Sequence, residues 1–274
     1  MDLRTALLQG QKLLEDAQVT APRLTAEVLL AHAVGRDRTW LYAHSDEELR
    51  EVWWIHYGRY LHERTQGKPT QHITGRQEFY GREFRVTPDV LIPRPETEHL
   101  IEAALERAQG NVLDIGTGSG AIAATLALET KSRVFATDIS YAALRIAREN
   151  ASRLNADVLL IECDLGAAFA AHSFDLVVSN PPYIPRGEAL PREVRDHEPA
   201  IALYGGTDGL DVYRRLIPEA VRLVRPGGWL ILELACDAAA AVEEMLLQCD
   251  WREIRIVPDL AGLPRVALSW RPTR

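Results

Sequence analysis

The spacing of apolar residues changes character twice along the chain. From residue 3 to residue 66 they recur at helical intervals. Leu3, Leu7, Leu8, Leu13 and Leu14 mark a first helix, and Pro22 opens a second that carries Leu29 and Leu30 and ends at Gly35. A longer stretch from Asp46 carries Leu49, Trp53, Trp54, Tyr57, Tyr60 and Leu61, aromatic positions that read as core rather than as a partner-binding face. Gly67-Lys68-Pro69 stops this unit. Residues 70–92 then alternate apolar and polar, with Gly75 and Gly81 as turn residues, and predict a β-hairpin linker. From Pro93 short apolar runs alternate with helical segments, which places strands near 111–115, 133–138, 157–162, 174–179 and 229–234. Arg252 to Pro258 and Arg265 to Trp270 supply two more, joined through Asp259-Leu260-Ala261-Gly262. The pattern therefore predicts an α/β fold with a mostly parallel, doubly wound sheet of seven strands over 93–274, preceded by a helical domain at 1–69 and the linker at 70–92.

The ends of the predicted strands carry the chemistry. Val112 to Ile115 runs into Gly116-Thr117-Gly118-Ser119-Gly120 and then an Ala/Leu-rich helix, Ala121 to Leu128. Residues without side chains let a ligand approach the backbone closely. Gly116, Gly118 and Ala121 satisfy the dinucleotide pattern G-x-G-x-x-G/A, and Asp138, at the end of the next strand, stands where a ribose-binding acid is expected. This half of the pattern indicates an adenosine-containing cofactor and no more.

A second strand end breaks that tie. The apolar run Phe174 to Ser179 delivers Asn180-Pro181-Pro182-Tyr183 to the mouth of the sheet. Two adjacent prolines remove two backbone donors and stiffen the turn, leaving its carbonyl groups free to accept from a ligand. Asn180 can accept one N–H through its side-chain oxygen, the Pro181 carbonyl a second, and Tyr183 can pack on the flat group that carries the nitrogen. A nitrogen held by both hydrogens has its lone pair aimed at one place. That suits methyl transfer from S-adenosylmethionine, whereas hydride transfer needs a proton donor or acceptor beside its substrate. Gly116, Asp138, Asp164 and Asn180 all fall at carboxyl ends of predicted strands, where ligands bind in such sheets. Asp164 has a second, lesser reading as a residue that simply ends its strand.

Composition narrows the substrate class. The 274-residue chain is 47% hydrophobic with a formal charge of −8, and it has no apolar run long enough for a membrane span and no secretory signal pattern. It reads as a cytoplasmic enzyme, a monomer without membrane or nucleic-acid partners. An acidic chain without a basic block gains little from counterion release on a duplex. Arg145, Arg148 and Arg153 share a predicted helix and read as its solvated face. Cys163, Cys236 and Cys249 are too few and too scattered for a disulfide framework or a zinc site, and read as small buried apolar residues. The eight histidines lack ligand spacing, so no metal is expected.

Together with Gln71-His72-Ile73-Thr74-Gly75, Glu78-Phe79-Tyr80-Gly81, Val90-Leu91-Ile92-Pro93-Arg94-Pro95-Glu96-Thr97-Glu98, Glu198-Pro199-Ala200-Ile201-Ala202-Leu203 and Gly205-Gly206-Thr207-Asp208-Gly209-Leu210, these motifs resemble the HemK/PrmC protein-(glutamine-N5) methyltransferases over nearly the whole chain. The Ile-Pro-Arg-Pro-Glu-Thr-Glu run is the most diagnostic of them. The resemblance implies a class I methyltransferase sheet, with Gly116, Thr117, Gly118, Ser119 and Gly120 facing the methionine part of S-adenosylmethionine. It also implies that Asp138 takes the ribose hydroxyls and that Asp164 and Leu165 border the adenine. It implies as substrate the glutamine of the Gly-Gly-Gln loop in class-one peptide-chain release factors. After Glu233, where the family usually has His-Gly or a similar pair, this chain has Leu234-Ala235-Cys236, so no contact from that loop is carried over.

Asn-Pro-Pro-Tyr also occurs in adenine-N6 nucleic-acid methyltransferases, which leaves that activity as an alternative. A non-catalytic cofactor-binding protein is the third reading, and intact Asn180 and Tyr183 speak against it.

Overall fold

The computed structural model describes residues 1–273, which fall into two compact units, Met1–Arg76 with Leu190–His197, and Gln77–Ala189 with residues 198–273. The first unit is helical: α1 (Leu3–Asp16), α2 (Pro22–Val34), α3 (Arg38–Ala43), α4 (Glu51–Thr65) and α5 (Thr70–Thr74). Asp2 caps α1 by accepting from the Thr5 N–H at 2.7 Å, and Gly35 closes α2 in the left-handed conformation. Leu3, Leu7, Leu14, Leu29, Leu30, Tyr57 and Leu61 form its core, with Trp53 and Tyr60 partly buried against them; Trp54, expected in the core, is exposed instead. Glu27 is buried and accepts from Arg23 Nε and Arg38 Nη2, each at 2.6 Å, which ties α2 to α3.

The hairpin is shorter than the 70–92 stretch that alternation predicts. Residues 70–74 form α5, entered from Pro69 and closed by Gly75 in the left-handed conformation, and Ile73 packs on the helical core. Strands β1 (Arg76–Phe79) and β2 (Arg82–Arg85) make the hairpin proper. Pro95–Thr97 then forms a 3₁₀ turn leading into α6 (Glu98–Leu105), and Glu98 accepts from the Tyr80 N–H at 2.9 Å.

The second unit continues through β3 (Asn111–Ile115), α7 (Ala121–Glu129), β4 (Arg133–Asp138), α8 (Tyr141–Leu154), β5 (Val158–Glu162) and β6 (Phe174–Ser179). Two short helices follow, α9 (Arg192–Arg195), which lies in the first unit, and α10 (Ala200–Leu203). The chain ends with α11 (Asp211–Leu223), β7 (Val224–Glu233), α12 (Ala239–Gln248), β8 (Arg252–Pro258) and β9 (Pro264–Trp270).

Strand order is β5-β4-β3-β6-β7-β9-β8, parallel through β7 and antiparallel at β9 and β8. Every residue of β6 is buried, as expected of a central parallel strand covered on both faces. Val112, Leu176 and Ile231 pack under α6 and α7, while Leu113, Val177 and Leu230 pack under α11 and α12. The order reverses between β3 and β6, so Gly116 and Asn180 leave adjacent strands at the switch point, with Ile115 paired to Ser179.

Candidate active site

A cavity of about 750 Å³ opens in the second unit at the carboxyl ends of β3, β4, β5 and β6. Its floor is the glycine loop. Gly116 and Gly118 have φ of +75° and +55°, which disfavours any side chain, and a Cβ at either would meet only open space. Both line the cavity, so the loop is a cradle whose missing side chains leave room for a ligand. Asp138 forms one wall. Its Oδ2 accepts from the Gly118 N–H at 2.9 Å and its Oδ1 from the Ser140 N–H at 2.8 Å, which fixes the carboxylate while leaving further lone pairs for a ligand. Burial raises its pKa above the ordinary aspartate value, and the backbone donors oppose that.

Thr117, Ser119 and Gly120 stand behind the cradle rather than lining it. The Thr117 hydroxyl donates to Asp114 Oδ2 at 2.6 Å, and the Ser119 carbonyl accepts from Asn150 Nδ2 at 2.9 Å. A Cβ on Gly120 would lie 3.1 Å from Ala147 of α8. These three shape the loop from the side facing the protein.

Asp164 and Leu165 lie on the opposite wall, after β5. Asp164 pairs with Arg215 of α11 at 2.5 Å, and the Leu165 carbonyl accepts from Thr137 Oγ1 at 2.8 Å. Cys163, Ile139, Ile201 and Val90 complete a largely apolar surround, suited to a flat heterocycle. Cys163 and Cys249 are half-buried and Cys236 is exposed, which corrects the expectation of three buried thiols: the loop after Glu233 carries Cys236 outward.

Asn180, Pro181 and Pro182 line the cavity beside the cradle. Asn180 Nδ2 donates to Thr97 Oγ1 at 3.2 Å, so its side-chain oxygen remains to accept from a ligand. Tyr183 does not line the cavity; it packs into the core under α11, where burial pushes its hydroxyl up to about 12. Glu233, at the end of β7, is buried behind the same turn. Burial raises its pKa to about 7, opposed by the Thr97 hydroxyl, Arg265 and the Tyr183 hydroxyl.

Two of the other motifs buttress this turn. The Ile184 N–H donates to the Leu203 carbonyl at 2.9 Å and the Gly205 N–H to the Ile184 carbonyl at 3.0 Å. A Cβ at Gly205 would lie 2.5 Å from the Pro182 carbonyl oxygen, so only glycine permits that approach. Glu198, 6% exposed, accepts from the Ile92 N–H at 3.0 Å and pairs with Arg94, which binds the Glu-Pro-Ala run to the Ile-Pro-Arg-Pro run. Arg94 and Glu96 do not line the cavity.

Sequence reasoning missed Thr97, Glu233 and Arg215 as members of the site. Glu233 carries the signal that Asp138 and Asn180 carry, a polar residue where a parallel strand ends.

The glycine cradle, the fixed acid at the second strand and the Asn-Pro-Pro turn at the fourth strand thus line one cavity. Residues 5–75 match the PrmC N-terminal domain and residues 95–194 the methyltransferase small domain. A release factor glutamine methyltransferase of Koribacter versatilis is 46% identical, with 100% of each chain covered. One from Moorella thermoacetica is 44% identical, with 99% of each covered. A methyltransferase of Pyrococcus furiosus shares the fold with a TM-score of 0.56 at 21% identity, covering 71% of this chain and 91% of its own. Likeness of this extent from one end to the other places the chain in the release factor glutamine methyltransferase family.

Proposed function

We propose that this chain transfers a methyl group from S-adenosylmethionine to the side-chain amide nitrogen (N5) of the glutamine in the Gly-Gly-Gln motif of class-one release factors. The observation that carries the reading is the Asn180 turn: an acceptor oxygen and a rigid proline carbonyl beside a glycine-floored cavity. The residues fit the cofactor. Gly116 and Gly118 leave open space where side chains would stand, Asp138 offers a fixed carboxylate for ribose hydroxyls, and Leu165, Ile139 and Ile201 offer apolar surface for adenine.

The cofactor supplies an electrophilic methyl on a sulfonium, so the protein's part is position and electrostatics. An amide nitrogen is a weak nucleophile because its lone pair is delocalised into the carbonyl. Asn180 Oδ1 and the Pro181 carbonyl accept its two N–H hydrogens, draw density onto nitrogen and favour pyramidalisation as the new C–N bond forms. The proton leaves late, to water, and no protein base is assigned. Tyr183, held in the core, stiffens the turn from below.

The adenine-N6 alternative presents the same planar NH₂ to the turn. The charge of −8 disfavours holding a duplex and flipping out a base, and family membership weighs the same way. Release factors work with ribosomes, so the proposed location is the cytoplasm. The test offers labelled S-adenosylmethionine with release factor and DNA side by side. Label in the factor supports the proposal; label in DNA alone promotes the alternative.

A further inference from the structure

The turn after β5 is fixed along its backbone. The Cys163 N–H donates to the Asp138 carbonyl at 3.2 Å, and the Leu165 carbonyl accepts from the buried Thr137 hydroxyl at 2.8 Å. Leu165 has φ of +51°, a left-handed conformation that a residue with a side chain rarely adopts and that those bonds hold in place. The fold therefore sets where the Asp164 backbone stands, while the exposed Asp164 side chain keeps its own rotation.

Arg215 removes that freedom. Its Nη2 donates to Asp164 Oδ2 at 2.5 Å, joining α11 to the end of β5 across 51 positions of sequence, and both residues line the cavity. The arginine has a firm base, because Tyr213, Leu216 and Ile217 beside it on α11 are fully buried. Its neighbour Arg214 instead pairs within its own segment, with Asp208 and Asp211.

Stability does not explain the Asp164–Arg215 pair. The two side chains are 47% and 58% exposed, and ion pairs so well solvated add little to folding. Their place in the cavity is more telling. A ribose held on Asp138 carries its base one bond away, and the Cys163–Asp138 bond sets the turn after β5 directly beside that acid. The base would then lie along Leu165 with an edge toward Asp164. A carboxylate has two accepting oxygens, so with Oδ2 held by Arg215 the other remains for a ligand. The 6-amino group of adenine donates to such an oxygen. The 6-oxo group of hypoxanthine would meet it acceptor against acceptor.

We infer that Arg215 is a positioning residue for the cofactor's base, holding the Asp164 carboxylate in the orientation that selects a 6-amino purine; this rests on the function proposed above.

The test is calorimetry with S-adenosylhomocysteine and with S-inosylhomocysteine, its 6-oxo counterpart, on wild type, Asp164→Ala, Arg215→Met, Arg215→Lys and the double variant Asp164→Ala with Arg215→Met. Wild type should prefer the adenine compound by about 10²-fold or more, and Asp164→Ala should lose most of that preference. Arg215→Met keeps the bulk of the stem without a donor, and should cut the preference about tenfold; Arg215→Lys should restore part of it. Melting temperatures should move little, since both side chains are exposed. In the Asp164→Ala background Arg215→Met should change nothing further, because its effect passes through the carboxylate. An unchanged preference in Arg215→Met overturns the inference. A further loss in the double variant also overturns it, since Arg215 would then touch the base itself. A wild-type protein that binds neither compound overturns both the inference and the cofactor reading beneath it.

Discussion

Asn180 and Thr97 lie 83 positions apart, yet the side-chain amide of one donates to the hydroxyl of the other at 3.2 Å. The bond joins the end of β6 to the turn before α6, so a segment that does not line the cavity tethers the Asn180 side chain. This gives a structural reason for the Ile-Pro-Arg-Pro-Glu-Thr-Glu run: its threonine accepts from the Asn180 side chain, and its arginine is anchored by the buried Glu198.

Asn180→Ala should lower the single-turnover methylation rate by about 10²-fold or more, since a preorganised group acting on developing charge is typically worth that much. Its melting temperature should move little, because Asn180 is only partly buried. A near wild-type rate in rapid-quench measurements would make the turn a structural feature only.

Asp138→Ala should weaken S-adenosylmethionine binding by at least about tenfold, since charge-assisted hydrogen bonds are worth roughly 1.5–3 kcal/mol each. Part of that loss comes through the Gly118 and Ser140 N–H groups, which lose the acceptor that orders them. Isothermal calorimetry reads the affinity, and unchanged affinity in a folded variant removes Asp138 from the site.

Gly205→Ala should disturb the turn without touching the cavity. The added methyl would fall 2.5 Å from the carbonyl oxygens of both Pro182 and Gly209, so backbone must move. We expect a melting temperature lower by several degrees, in line with roughly 1–3 kcal/mol for an overpacked site, together with a reduced rate. Thermal melts and turnover in one preparation check both, and a variant unchanged in each would contradict the buttress.

Asp114 gives the fold a pH dependence. It is fully buried, its Oδ1 has no partner, and burial raises its pKa to about 7 against the Thr117 hydroxyl. In the unfolded chain an aspartate titrates near about 4. Between those values the folded state holds a proton that the unfolded state has released, so stability falls as pH rises, by up to about 1.4 kcal/mol per pH unit, and levels off above the folded pKa. Glu233 adds a decline of the same sign. Asp114→Asn should flatten the loss of melting temperature between about pH 4 and 7 and be more stable than wild type at about pH 8. Melting curves that stay parallel across that range would refute the assignment.

The second unit is highly legible because parallel strands buried on both faces leave continuous apolar runs; Arg133–Asp138 and Phe174–Ser179 match the predicted spans residue for residue. Strand β7 begins at Val224, earlier than predicted. Pro226, Gly227 and Gly228 read as a turn, and the ladder tolerates them through an irregularity between Phe174 and Leu176. Thr70–Thr74 escaped notice as a helix because five residues are too few to show a period. In the site, the glycines and strand-end acids announce themselves locally. Thr97 does not: it reads as part of a helix start, and only the fold brings it to Asn180.

The central claim is tested most directly by mass spectrometry of a class-one release factor treated with the enzyme and S-adenosylmethionine. The account predicts one added methyl on the glutamine of the Gly-Gly-Gln motif, absent when that glutamine is replaced by alanine and lost with Asn180→Ala enzyme. An unmodified release factor, with methyl groups appearing instead on adenine in DNA, would contradict it.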